Sequence, residues 1–519
     1  MPQNQSKSMW LVLSAVAILV FLLNIDYTSV NLALVAISEE VPADLNSFQW
    51  LLSGYVLAWA ALVVPAGRLA DLYGKRTTLL AGIVIFLLGS GITGIGQSIE
   101  ILIIGRILQG IGAAIFSPAA YGLIFTAMPQ SKQGFGMGVI AGVAGFGLAA
   151  GPSMAGYIIK YLSWRWIFYI NIPLGILVIL FILGFVAKDK PQETSAKLDA
   201  LSIALLSLGL GSFMFAVNQI EIWGLTEPRL WGFGLLGLIS LGVFWFWDGN
   251  RKTQTLPRTL LRNSGLMSTV YAITFNVFNF SLILVMMSLY LQNTLRYTSY
   301  ETGLIFLPMT LAIGILSPIG GKFADRMDIR IPIISGFIMI GISTCMMSFL
   351  HEKSSLLYVC IALFFAGFGL GQSWPNLNTA MFRAVKPTEI NTASGIFTMA
   401  TMLANSLSVI LATSLMVIFG RQKLSFLMNQ KGLEVNAEQY QTLTSIIAQV
   451  EHSPKQLQNF TAEQIPDFLE IIDKAFLHGL SIDMWVGTIF TLCGIIPVYW
   501  GLKHLKTRHL KEEHIVVPL

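Results

Sequence analysis

The sequence predicts an all-α integral membrane protein: two six-helix bundles with two helices inserted between them, about fourteen transmembrane helices in all. Three observations predict it. The 519-residue chain is 55% hydrophobic and only 11% charged, whereas a soluble protein carries about 25% charged residues. Its apolar residues fall into successive runs of roughly 20, the length that spans a hydrocarbon core of about 30 Å. One short pattern also occurs twice, at matching places in the series of runs.

The spans fall near residues 10–34, 50–70, 77–97, 101–125, 135–160, 166–187, 199–220, 229–248, 265–291, 301–320, 331–350, 356–381, 390–419 and 479–502. Hydrophobicity is nearly continuous and blurs the helical period, so length sets these limits. The first run is long, carries Asp26 and lacks a small-residue cleavage site; it reads as a retained span and not as a signal peptide. Cys345, Cys360 and Cys493 lie inside apolar runs and suit packing better than a disulfide framework.

Orientation follows from Lys and Arg in the short loops. One set holds Arg68, Lys75, Arg76, Lys132, Lys188, Lys190, Lys197, Arg251, Lys252, Arg258, Arg262, Lys322, Arg326, Arg330, Arg383 and Lys386. The opposite set holds few, among them Lys160, Arg165 and Lys353. The expectation is a multi-pass protein of the inner (plasma) membrane with both termini cytoplasmic.

The repeated pattern sets the register. Gly67-Arg68-Leu69-Ala70-Asp71, running on to Gly74, Lys75 and Arg76, ends the second span; Gly321-Lys322-Phe323-Ala324-Asp325, running on to Arg326 and Arg330, ends the tenth. An eight-span offset gives an N-terminal bundle (1–187), two inserted helices with their linkers (188–264) and a C-terminal bundle (265–519), a parallel repeat of the transporter kind. The stretch 420–478 is the one sizeable outer loop. Leu443, Ile446, Ile447 and Val450 share a helical face there, with Asn436 and Gln439 placed to cap it; Thr461 and Gln464 are placed to cap a second helix carrying Phe468, Ile472 and Phe476. Short amphipathic helices over the outer mouth and a plain solvated loop both fit. The tail after Gly501 is basic and reads as disordered.

Two charges stand inside the spans. Asp26 lies about 24 Å along the first helix at 1.5 Å per residue, where an acid is costly unless it faces a cavity or a partner. Arg106 enters from the other side to a similar depth, so the two are placed to pair. A cationic neighbour favours an ionised acid and apolar burial a protonated one. Water or a cationic substrate moving in would then tip proton release, which is the logic of proton-coupled exchange; a static pair locking two helices is the alternative. Gln109 and Gly110 are read as helix-packing residues that position Arg106 and let the helices approach closely. Asp483 reads as a solvated helix end near the outer interface, and the six histidines fall outside the spans.

Taken in order, these residues resemble the fourteen-helix drug:proton antiporters of the major facilitator superfamily. Asn24, Asp26, Thr28, Asn31, Ala33 and Leu34 are similar to that family's first-helix signature, with Val35 where a proline is usual. Gly67 to Arg76 resembles its cytoplasmic loop motif, and Arg106 to Gly112 its fourth-helix motif. Gly147, Gly151, Pro152 and Gly156 resemble the fifth-helix antiporter motif. Ser163 to Phe168 and Asn171-Ile172-Pro173 complete the likeness.

The resemblance implies the major facilitator fold and export of amphipathic or lipophilic, often cationic, drugs by antiport, with alternating access. It implies a conformational gate at Gly67, Asp71, Gly74, Lys75, Arg76, Asp325, Arg326 and Arg330, with Asp71 meeting the start of span 13 near Thr388 to Ser394. Spans 10 and 12 lack the further acids that some relatives carry, which counts against a preference for dicationic drugs. For the substrate cavity the central spans offer Asn24, Asn31, Tyr55, Trp59, Asn276, Asn279, Gln372, Trp374, Asn376 and Asn405, an aromatic and weakly polar set suited to lipophilic cations.

No phosphate loop or dinucleotide fingerprint is present: Gly74-Lys75-Arg76 lacks the upstream glycine spacing, and no strand precedes the span-5 glycines. The expectation is a non-enzymatic monomeric transport unit driven by the proton gradient, with no cofactor, no metal and no nucleic-acid partner. Its partners are the small-molecule substrate, protons and membrane lipid, and the outer loop offers a place for a periplasmic adaptor protein. The rival readings are an exporter of one metabolite, such as a siderophore or lipid-like molecule, and a facilitator without antiport. A membrane enzyme finds no nucleophile–base constellation.

Overall fold

The apolar runs become helices. The computed structural model describes residues 3–188, 199–224, 226–251, 253–431, 433, 439–440, 443–444 and 465–506, and these contain no strand. The N-terminal half comprises α1 (Gln3–Glu40), α2 (Leu45–Tyr73), α3 (Lys75–Ile95), α4 (Ile99–Ala127), α5 (Gln133–Tyr161) and α6 (Asn171–Phe185). The inserted pair is α7 (Ala200–Trp223) and α8 (Pro228–Gly249). The C-terminal half comprises α9 (Ser264–Leu289), α10 (Leu307–Ala324), α11 (Arg330–Ser348), α12 (Leu356–Ala384), α13 (Ile390–Lys431) and α14 (Ile465–Gly501). Thirteen helices among the described residues are long and apolar enough to cross a membrane, and the 29-residue α5 packs among them as a fourteenth long helix.

Local chemistry sets the ends. Asp44 accepts from the Ser47 amide at 3.0 Å to open α2, Asn263 from the Leu266 amide at 3.0 Å to open α9, and Thr298 forms a capping box with Glu301 ahead of α10. Gly74 turns the chain from α2 into α3 at φ 100°, a conformation glycine adopts without strain.

The last two spans depart from expectation. α13 has 42 residues and α14 has 37, about 63 and 56 Å at 1.5 Å per residue, well beyond a core of about 30 Å. The stretch read as an outer loop from 420 therefore begins and ends as helix. Leu424, Met428, Leu443, Phe468, Ile472 and Phe476 are buried together there. The burial of Leu443, Phe468, Ile472 and Phe476 agrees with their assigned apolar faces, but Asn436, Ile446, Ile447, Val450, Thr461 and Gln464 lie outside the described residues. The basic tail does so too beyond 506.

The halves meet most extensively through α5 with α10 and α2 with α13, and the inserted pair packs on α2 and α13. These meetings concentrate at one end, the end bearing Lys75, Arg76, Lys132, Arg326 and Lys386, called here the basic end. A Cβ on Gly134 or Gly138 of α5 would overlap the carbonyls of Gly321 or Ser317, and one on Gly67 of α2 would overlap that of Asn391. Toward the other end α5 leans on α1 instead, with Gly147 against Asn24 and Gly151 against Thr28, while Asn31 of α1 is exposed. The halves are thus closed at the basic end.

Candidate functional site

Asp26 lies where five helices converge. It is fully buried on α1, and one carboxylate oxygen, Oδ2, sits 2.6 Å from Arg106 Nη1 of α4. The other, Oδ1, accepts from Gln109 Nε2 of α4 and from Asn171 Nδ2 of α6, both at 3.0 Å. Ser90 of α3 binds both donors in turn: its Oγ accepts from Asn171 at 2.9 Å and Gln109 at 3.2 Å, then donates to the Phe168 carbonyl at 2.8 Å. Arg106 also donates to Gln109 Oε1 at 3.0 Å and to the Leu51 carbonyl at 3.4 Å, and its guanidinium lies 4.2 Å over the ring of Tyr55 on α2.

Every member of this cluster is at most 1% exposed. A buried ion pair is tolerated when hydrogen bonds satisfy its remaining atoms, and here Ser90, Gln109 and Asn171 do that for the acid. Two polar atoms are left over, Asn171 Oδ1 and the Tyr55 hydroxyl. The pairing of one acid with one guanidinium leaves the cluster without net charge. Sequence reasoning paired Asp26 with Arg106. It made Gln109 a packing residue that positions Arg106; Gln109 accepts from Arg106 and also binds the acid directly. Ser90 and Asn171 were not named as site residues, and each is a small polar residue inside an apolar run, the one signal available.

The gate candidates divide. Asp71, at the basic end of α2, accepts four hydrogen bonds from the first turn of α13: the amides of Asn391 (3.0 Å) and Thr392 (2.8 Å), Asn391 Nδ2 (2.8 Å) and Thr392 Oγ1 (2.5 Å). A carboxylate at a helix N-terminus suits both the free amides and the helix dipole. Asp325, at the end of α10, repeats this on the other half, accepting from the amides of Gly134 (2.8 Å) and Phe135 (2.9 Å) at the start of α5. Arg383 of α12, not among the sequence candidates, holds Asp325 at 2.9 Å.

Of the other gate candidates, Gly67 also meets the opposite half, at Asn391. Lys75 donates to Thr126 at 3.1 Å and Arg76 to the Leu183 carbonyl at 3.0 Å. Arg330 pairs with Asp328 at 2.7 Å, and Arg326 is exposed.

Of the cavity candidates, Asn24, Asn31, Trp59, Trp374 and Asn405 keep exposed surface, while Tyr55, Asn276, Asn279, Gln372 and Asn376 are buried. Asn376 donates to the Gly320 carbonyl of α10 (3.1 Å), Gln372 packs on Gly320, and Asn276 donates to Ser373 (2.6 Å). All three are buried between helices of the C-terminal half in this conformation, with Asn276 Oδ1 and Asn376 Oδ1 left unpartnered. Tyr55 belongs with Arg106, and Trp59 meets Tyr55 edge-on at 5.7 Å while donating to Ser117 at 3.2 Å. Asn405 accepts from Ser281 at 2.6 Å and faces Tyr27 across the halves.

The α5 glycines do bring α1 close. Ser29 donates to the Gly151 carbonyl at 3.1 Å, and a Cβ on Gly156 would make only ordinary contact with Leu32. Pro152 lies in the same helix, its side chain outside the described set. At the end of α1 away from the basic end, Arg165 stacks on Trp164 at 4.3 Å and pairs with Glu40; the hydrogen bond from Arg165 holds the Glu40 carboxyl below the usual range.

Asp483 overturns its assignment. It is 1% exposed at the midpoint of α14, and neither carboxylate oxygen has a hydrogen-bond partner. The apolar run made it look terminal because the helix starts well ahead of that run, at Ile465.

Comparison with known proteins agrees with this architecture. The family model described as Major Facilitator Superfamily matches residues 16–409. A multidrug resistance protein, Stp, of Mycobacterium tuberculosis is 29% identical over 395 residues, covering 75% of this chain and 73% of that protein. The tetracenomycin C resistance and export protein of Streptomyces glaucescens is 28% identical over 362 residues, covering 70% and 67%. The multidrug transporter protein MdtP of Bacillus subtilis is 26% identical over 535 residues, covering 98% and 96%. Among solved structures, the human organic anion transporter MFSD10 matches with a TM-score of 0.56 at 13% identity, covering 96% of this chain and all of that one; that likeness concerns the fold.

Proposed function

The chain belongs to the Major Facilitator Superfamily, and on that premise we propose that it exports amphipathic, often cationic, compounds across the plasma membrane in exchange for protons, with Asp26 as the coupling acid. The observation that carries this reading is the burial of Asp26 against Arg106, Gln109 and Asn171. An acid so placed within a transmembrane helix is a functional group by default. Relatives named for drug resistance and export support the substrate class.

The basic end is taken as cytoplasmic by the positive-inside rule, which puts both termini inside and makes this conformation outward-facing. Protonation of Asp26 from the open side removes the anion that gathers Arg106, Gln109 and Asn171, loosening α1 from α4 and α6. Asp71 and Asp325 hold the inner ends of α13 and α5. Breaking those caps lets the halves rock, after which the proton leaves and a cationic substrate takes its place near the acid. The proton gradient supplies the energy.

The test uses inverted vesicles carrying the protein, a pH-sensitive dye and an imposed proton gradient, with a panel of lipophilic cations. The expected result is substrate-triggered proton movement by the normal protein and none by Asp26→Asn. Equal responses from both would sink the coupling role. Silence from both, with metabolites then eliciting a response, would favour a narrow exporter.

A further inference from the structure

Asp483 is the one carboxylate among the described residues that is buried with both oxygens unpartnered. It is used by nothing in the coupling cluster, which lies wholly in the other half. Its helix, α14, packs against α9, α11 and α13. The neighbouring turns on its own face show what it looks at: Gly479 presses on Met416 of α13, and Gly487 on Leu282 and Asn279 of α9. Buried apolar side chains, including Met286, Met416, Leu480 and Met484, fill this seam.

The titratable groups on the surrounding elements include Tyr290 and His351 past the ends of α9 and α11, Cys345 of α11, Arg421 and Lys423 of α13, and Asp473 and His478 of α14. Tyr290 is bonded to the His351 carbonyl at 2.9 Å, Asp473 is paired with Arg296 at 3.4 Å, Arg421 is exposed and Lys423 lies over Phe426. None of them hydrogen-bonds or ion-pairs with Asp483.

An ionised carboxylate in such a place carries an uncompensated desolvation cost that proteins relieve by neutralising the group. The depth matters as well. Trp485, two residues along, meets Phe349 just past the end of α11 at 6.0 Å, so Asp483 lies level with the end of the bundle opposite the basic end. In the exporter reading that is the face from which protons enter.

We propose that Asp483 is a second proton-binding carboxyl, occupied by a proton in this conformation, and that through it the C-terminal half contributes one proton to each exchange. The inference rests on the proton-exchange reading for its coupling role and on burial and missing partners for the bound proton. No covalent step is involved: the proton arrives from the outer aqueous phase and leaves to the inner one.

The test has two arms on the purified, membrane-reconstituted protein. Infrared spectroscopy at neutral pH is expected to show a protonated carboxylic-acid carbonyl band that Asp483→Asn removes, while Asp26→Asn leaves it in place. In transport, Asp483→Asn, which keeps the shape of a neutral acid, is expected to fold, to bind lipophilic cations and to move one proton fewer per substrate. Infrared spectra identical in the normal protein and Asp483→Asn would overturn the bound proton. Loss of the band with an unchanged proton-to-substrate ratio would overturn the coupling role and leave Asp483 a neutral packing group. Absence of all proton movement in the normal protein sinks the antiport reading and the coupling role with it, while the infrared arm still decides the bound proton.

Discussion

Asn171, the first residue of α6, donates to Asp26 Oδ1 on α1 at 3.0 Å and to Ser90 Oγ on α3 at 2.9 Å. One amide thus joins three helices at the buried acid. A hydrogen bond to a charged group is worth about 1.5–3 kcal/mol, so Asn171→Ala is expected to lower stability by that order and to slow substrate-driven proton movement without abolishing it. Ser90→Ala removes a support one step further out, and a smaller loss is expected. Thermal unfolding in detergent and the dye assay check both; wild-type behaviour of Asn171→Ala in each would show the amide to be incidental.

Arg106 makes a sharper case. Its guanidinium serves Asp26, Gln109, the Leu51 carbonyl and the face of Tyr55 together, a geometry that a lysine ammonium cannot reproduce. Removing one partner of a buried pair costs about 3–5 kcal/mol because a lone charge is left behind. Arg106→Gln is therefore expected to be less stable than Arg106→Gln combined with Asp26→Asn, although both are inactive. A double-mutant cycle of unfolding temperatures reads the sign directly. Strict additivity would show that the charges do not interact.

How much of this was legible in the sequence follows from what each residue must overcome. Asp26 and Arg106 stand out because a charge in an apolar run is expensive wherever the helix goes. Asp71 and Asp325 stand out because the pattern around them occurs twice. Ser90 and Asn171 do not: a serine or asparagine in a membrane helix commonly bonds its own backbone, as Thr93 and Asn279 do here, and only the packing of α3 and α6 on α1 and α4 tells the cases apart. The same blindness applies to Asn376, whose amide bonds the Gly320 carbonyl of α10, and to Gln372, which packs on Gly320. Asp483 was misjudged for another reason. The turns of α14 ahead of the apolar run, near Phe468, Ile472 and Phe476, are buried by the outer part of α13, so the helix outlasts the run used to measure it.

The caps at the basic end predict a conformational phenotype. Asp71 receives four bonds from Asn391 and Thr392, and a coupling of about 1–3 kcal/mol shifts an equilibrium about 5–150-fold. Asp71→Asn is expected to favour opening of that end. Ser394 is buried here at 2% exposure, so Ser394→Cys, with Cys345, Cys360 and Cys493 replaced by serine, is expected to react with maleimide faster when Asp71→Asn is added. An unchanged rate would mean that the cap does not hold the gate.

The glycines of α5 predict a graded series, because what each faces differs. A Cβ at Gly156 meets only Leu32 at 3.6 Å, ordinary contact, so Gly156→Ala is expected to transport normally. A Cβ at Gly151 would overlap the Thr28 hydroxyl of α1; Gly151→Ala is expected to lose transport, and Thr28→Ala to restore part of it by removing the offending atom. At Gly138 the obstacle is the Ser317 carbonyl of α10, backbone that no side-chain change removes. Overpacking of a close-packed contact costs about 1–3 kcal/mol, and here the strain is relieved by parting the halves at the basic end. Gly138→Ala should therefore share the raised Ser394→Cys reactivity of Asp71→Asn, whereas Gly151→Ala should not. Transport rates and maleimide labelling of the three variants separate a crowded α1–α5 seam from a forced gate, and equal labelling of Gly138→Ala and Gly151→Ala would refute that division.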